Sequence, residues 1–220
     1  MKDKRQQLAA LQIVRELVEE IDADAGADAM KVALARGGII EQTLVCLKLH
    51  GGCEKLAMLS MTVFFLLAFE ISDELSRSDS KTDRVALLTH VLTFTTKIVI
   101  THKEHTEICE RAISFLYAMS LNPGFLSEVG KVLNGEFICV CLGHELSDNE
   151  SYLDLSGLVN TTLVKCKIIT ISAEQAIFAL RKLEALIEKF IGVEGSEEVV
   201  TLSRGSMDAL QKLGKAYRVA

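Results

Sequence analysis

The chain has 220 residues, 49% of them hydrophobic and 25% charged, which excludes a disordered tail and suits one elongated domain or two small ones. A formal net charge of −6 excludes a general nucleic-acid binder, which presents a basic face, and leaves room for a basic protein or peptide partner. A single proline, Pro123, and no tryptophan, in a chain rich in Leu, Ala, Glu and Lys, favour helices over strands.

Residues 4–21 place Leu8, Leu11, Val14, Leu17, Val18 and Ile21 at the i, i+3, i+4 spacing of an amphipathic helix. Arg15, Glu16, Glu19 and Glu20 interrupt the apolar positions, so no signal-peptide core is present. The acidic segment "DADAGADA" follows. Asp22, Asp24 and Asp28 resemble calcium-loop positions, but Gly26 and Ala27 stand where a carboxylate and the turn glycine belong, and Ala33 replaces the closing Glu. It is read as a loop. A short helix "ADAMKVALAR", the pair Gly37-Gly38, a second helix "IIEQTLVCLKLH" and the pair Gly51-Gly52 come next, with the glycines as helix stops.

"CEKLAMLSMTVFFLLAFE" raises the question of a membrane span, because 14 uncharged residues run between Lys55 and Glu70. A span needs about 20 apolar residues. Charges flank this run closely, with Glu54 and Lys55 before it and Asp73 and Glu74 after it, so a buried interior helix is expected. "SDELSRSDSKTD" reads as a polar loop. Beyond it Val85, Leu88, Leu92, Thr96 and Val99 mark a helix with Thr82 or Asp83 as its N-cap. "THKEHTE" connects it to "ICERAISFLYAMS", and Asn122-Pro123-Gly124 forms a turn. The helical segments "FLSEVGKVL", "EFICVCLGHEL" and "DNESYLDLSGLVNTTLVKCKI" lead to a long amphipathic helix over 173–191, with Ala176, Leu180, Leu183, Ile187 and Phe190 on one stripe. "GVEGSEE" reads as a linker and "SMDALQKLGKAYRV" as a last helix; the β-branched run "VKCKIITIS" is the one stretch where a strand competes.

An internal repeat emerges on superposing the chain on itself. Placing Gly38-Ile39 over Gly135-Glu136 puts Gly52 on Asn149, Leu56 on Leu153, Ser60 on Gly157 and Leu66 on Leu163 without a gap. A middle unit fits between them: Leu56, Ser60, Val63, Phe64 and Leu67 correspond to Ile108, Ala112, Phe115, Leu116 and Met119. The small residues Ser60, Ala112 and Gly157 share one slot, where helices would approach closely.

In this pattern of short helix, "ARGGII", second helix, turn and long third helix, the chain resembles the armadillo family over residues 27–167. The resemblance implies an all-α, right-handed superhelix, an α–α solenoid of about three irregular repeats plus terminal helices. It divides the chain into an N-terminal helix and acidic loop (1–26), repeats at 27–71, 72–121 and 122–170, and C-terminal helices (171–220). It also implies a concave, protein-binding groove lined by the third helices. The matching slots are Thr62, Leu66 and Glu70 in the first unit, Arg111, Ser114 and Ala118 in the second, and Val159, Leu163 and Lys167 in the third. Armadillo proteins that grip extended peptides carry an asparagine ladder there, beside tryptophans. Here the slots hold Leu66, Ala118 and Leu163, which suit an amphipathic helix better, unless the helix over 173–191 folds back to cover them.

Enzymatic and metal motifs give little. "HKEHTE" offers His102, Glu104, His105 and Glu107, but in a polar connection with no supporting Cys or His nearby in sequence. Cys139 and Cys141 stand too close in sequence for a usual zinc pair. Phosphate-loop, dinucleotide and nucleophile-elbow motifs are missing from the sequence. Six cysteines in apolar settings read as reduced core thiols of an intracellular protein, cytoplasmic or nuclear.

The expectation is therefore a non-enzymatic interaction module without cofactor or metal. Its partner is a protein that presents an amphipathic helix or basic segment, not a nucleic acid or a membrane. An all-helical regulator or enzyme acting through one exposed residue, such as a small-GTPase activator, and a homo-oligomerising helical bundle are the alternatives.

Overall fold

Gly38 holds a left-handed conformation (φ 84°) that few side chains tolerate, and it separates the first two short helices where the sequence places a stop. The computed structural model describes residues 3–21, 27–77, 81–166 and 170–217. Most of the acidic loop (22–26) and Lys167 lie outside them. Twelve α-helices are described: α1 (Lys4–Ile21), α2 (Ala27–Arg36), α3 (Ile39–His50), α4 (Glu54–Leu66), α5 (Ala68–Arg77), α6 (Lys81–Thr101), α7 (Thr106–Ser120), α8 (Leu126–Val132), α9 (Gly135–Gly143), α10 (Asn149–Asn160), α11 (Ala173–Phe190) and α12 (Glu197–Tyr217). The fold class is all-α, and among the described residues there is no strand.

The apolar stretch at 53–70 is an interior helix that ends early. Leu56, Ala57, Leu59, Ser60, Met61, Thr62, Val63 and Phe64 of α4 are all buried. Leu67 leaves the helical conformation, and α5 departs at 68° to α4. Among the described residues no single helix is long and apolar enough to cross a membrane, and α4 with α5 meets the length only as this bent pair.

Three local expectations need correction. "SDELSR" is not a loop: it lies in α5, whose Ala68, Ile71 and Leu75 are buried at i, i+3, i+7 while Asp73 and Arg77 stay exposed. The helix expected from Thr82 or Asp83 already starts at Lys81, so neither residue is its cap. The last helix begins at Glu197 and takes in the two glutamates that end the supposed linker, because Glu197 and Glu198 favour the first helical turn.

"VKCKIITIS" supplies the last two residues of a π-helical turn at Thr161–Lys165 and then the N-cap of α11, with residues 167–169 outside the described set. Ser172 and Gln175 form a capping box there. The Gln175 N–H donates to Ser172 Oγ (3.2 Å) and the Ser172 N–H to Gln175 Oε1 (2.9 Å).

Two series of helices pack side by side. In one, α1 meets α4, α4 meets α7, α7 meets α10 and α10 meets α12; in the other, α3, α6, α9 and α11 follow in the same way. Each member of the second series also touches one of the first, as α3 does α4 and α11 does α12. The short α2 and α8 fill in against α5 and α6. One continuous apolar core runs from Leu11 to Leu210. The Phe64 and Phe115 rings stack across α4 and α7 with centroids 5.2 Å apart, and burying each such ring contributes about 1.5–3 kcal/mol. Ser60, Ala112 and Gly157 are all buried. Helix α11 takes its place beside α9 and α12 in the second series.

Candidate functional site

Where α4, α7 and the start of α10 come together they leave a cleft of about 160 Å³. From α4 comes Phe65, half-buried. Arg111 of α7 lays its guanidinium over that ring, 4.9 Å from the centroid. One turn on from Arg111, Ser114 lines the cleft together with Asp154 of α10, and its hydroxyl favours the ionised form of that carboxyl. Glu110 of α7 accepts the backbone N–H of Ser147. Asp148 is the N-cap of α10 and accepts the Ser151 N–H at 2.8 Å. Glu150, in the first turn of α10, is exposed. Four carboxylates (Glu110, Asp148, Glu150 and Asp154) thus share the cleft with one cation, Arg111.

The electrostatics follow from these positions. The Ser151 N–H, aided by the position of Asp148 at a helix N-terminus, holds that carboxyl below its usual value. Burial raises the Asp154 carboxyl, and repulsion from Glu150 and Asp148 adds to this against the Ser114 hydroxyl. An ionised Asp154 is therefore under-compensated, and a cation brought into the cleft relieves it.

Of the nine slots taken from the family pattern, Arg111 and Ser114 fall in this cleft. Thr62 is buried, with its hydroxyl donating to the Met58 carbonyl at 3.0 Å. Leu66 and Ala118 are half-buried beside the core. Glu70 is half-buried and lines a second, smaller cleft with Phe69 between α2 and α5. Val159 and Leu163 are 2% and 5% exposed and belong to the core. Lys167 lies outside the described residues. Missing from the slots are Phe65, Glu110, Asp148, Glu150 and Asp154. The available signal was the spacing of Glu150 and Asp154, four apart and on one helical face, just after an Asp cap.

The histidines of "HKEHTE" join neighbouring turns. His102 is 7% exposed and its Nε2 lies 2.7 Å from the Gly51 carbonyl, while His105 Nε2 lies 3.4 Å from Glu54. Among the described residues no three His, Cys, Asp or Glu side chains converge as metal ligands.

The thiols differ by environment. Burial pushes Cys109 up to about 12 and Cys141 well above its ordinary value. At the start of α4, the Leu56 backbone N–H, with the Lys4 ammonium nearby, holds Cys53 below its ordinary value. Iodoacetamide at neutral pH is expected to label Cys53 first and to reach Cys109 and Cys141 only after unfolding. Peptide mapping of a labelling time course checks this, and equal rates at Cys53 and Cys109 would contradict the packing described.

No protein-family model, curated protein or solved structure matches this chain.

Proposed function

We propose that the chain is an armadillo-like α-superhelix and a non-enzymatic interaction module of the cell interior, whose third-helix cleft takes a basic amphipathic helix from a protein partner. The excess of carboxylates around Arg111 and Phe65 carries this reading. A Lys or Arg side chain of the partner finds four acidic groups there, and its apolar neighbours find the Phe65 ring. The side-by-side succession of α4, α7 and α10 supports the superhelical reading, because it extends the surface along several helices.

The test begins with affinity capture from the native cell and identification of the partner by mass spectrometry. Calorimetry with the purified pair follows. Glu150→Lys, an exposed change that leaves the core intact, is expected to weaken binding by about tenfold, and the wild-type affinity is expected to fall steeply with salt. Unchanged affinity in Glu150→Lys, with no salt dependence, would remove the cleft as the binding site.

A further inference from the structure

The two ends of the α1–α4–α7–α10–α12 series are unlike. At the C-terminal end α12 turns Thr201, Arg204, Asp208 and Gln211 to solvent, all polar. At the N-terminal end α1 turns out Ile13, 56% exposed, and Leu17, 40% exposed, one turn apart on the face away from its buried Gln7, Leu11 and Val18. A stacked helical array needs polar outer faces at its ends to stay solitary, and only one end of this series is finished in that way.

The outward face of α1 is also complementary to itself. Lys4 and Arg5 stand exposed at its start, just after Asp3, and Glu16 and Glu19 near its end. There Arg15 pairs with Glu19 (3.2 Å) and Gln12 donates to Glu16 (2.6 Å), so that among the described residues neither Arg5 nor Glu16 has an ion-pair partner on α1 itself. Helical phase sets Arg5, Gln6, Ala10, Ile13, Glu16 and Leu17 on or beside one stripe. When a second α1 is laid antiparallel about a two-fold axis, Ile13 meets Ala10 of the second copy, Leu17 meets Gln6, and Arg5 comes beside Glu16. A parallel pairing would set like charges together instead. The small Ala10 lets the two axes approach to roughly 8 Å, the near limit for packed helices.

We infer that the chain forms a two-fold homodimer through its N-terminal end, with α1 packed antiparallel against α1 of a second copy. Each two-fold contact is made twice, so every favourable pair counts double. The dimer carries two third-helix clefts on one assembly, which would hold a bivalent partner more tightly than either cleft alone. The inference does not depend on what the cleft binds.

Sedimentation equilibrium of the full chain, over roughly 5 to 500 µM, is the test, because an interface below the standard ~800 Å² per partner dissociates in that range. The expected result is a concentration-dependent shift to twice the monomer mass. Leu17→Arg is expected to leave only monomer, with the melting temperature of the wild type at concentrations where that is also monomeric, because Leu17 is exposed. Arg5→Glu is expected to weaken the dimer at least fivefold, and Arg5→Glu with Glu16→Arg to restore it. A monomer at every concentration overturns the proposal. So does a dimer that survives Leu17→Arg, and failure of the double variant to restore association overturns the antiparallel register.

Discussion

Phe64→Asp is expected to leave the chain unfolded at room temperature, with loss of its helical circular dichroism and no cooperative melt. Phe64 is 1% exposed and stacks on Phe115, itself fully buried. Removing the ring alone costs about 3–5 kcal/mol. The new carboxylate then either sits unpaired in an apolar interior, at a further cost of several kcal/mol, or pulls α4 away from α7. Native domains hold only about 5–15 kcal/mol in total. Leu56→Asp and Leu116→Asp are expected to behave alike, since both side chains are 0% exposed on α4 and α7. Phe64→Leu is the control: it keeps the apolar character, is expected to cost about 1–3 kcal/mol, and should stay folded. Wild-type melting temperatures in all three Asp variants would show that α4 is not an interior helix.

Those positions were legible in the sequence because burial imposes a period. Leu88, Leu92, Thr96 and Val99 follow each other at helical spacing along α6, and all four are buried. Where the apolar pattern is wider than the interface, the sequence misleads. Leu17 lies on the apolar stripe of α1 yet is exposed, while the polar Gln7 is buried on the inner side. Helix α5 escaped notice for the opposite reason, because three apolar positions suffice to dock it and its remaining residues read as a loop. Gly38 and Gly135, matched as equivalents in the repeat, serve different ends. Gly38 needs a positive φ, whereas a Cβ at Gly135 would lie 2.4 Å from Gln175 Oε1 and 2.8 Å from an Ile171 side-chain carbon. A shared glycine therefore marks a shared position without a shared cause. The acidic cleft was the least legible feature. Its groups come from α4, α7 and α10, and which of them meet depends on how those helices cross, which no local pattern records.

The crossing of α7 and α10 is fixed by Gly157, and a large side chain there is expected to disturb both stability and the cleft. A Cβ at position 157 would stand 2.4 Å from Tyr117 Cε2 and 2.5 Å from Cζ, so the ring lies directly on the glycine backbone. Tyr117 is half-buried and its ring is a terminal group, so it can swing outward from a small intruder. Gly157→Ala is accordingly expected to change the melting temperature little, since a gain of about 1 kcal/mol in helix propensity offsets the displaced ring. Gly157→Leu leaves the ring no nearby place and forces α10 from α7, at about 3 kcal/mol. Tyr117→Ala in the same chain opens space for the leucine. The double-mutant cycle should therefore return a coupling of about 1–2 kcal/mol, with the pair less destabilised than the sum of the two single variants. The functional link is geometric. Ser114 and Tyr117 are one turn apart on α7, as Asp154 and Gly157 are on α10, so the meeting of Ser114 and Asp154 in the cleft depends on the same crossing. Gly157→Leu should then weaken partner binding even at temperatures where it remains folded, whereas Gly157→Ala should not. Strict additivity in the cycle would show that the Tyr117 ring does not rest on Gly157, and with it would go the close approach that positions the carboxylates of the cleft.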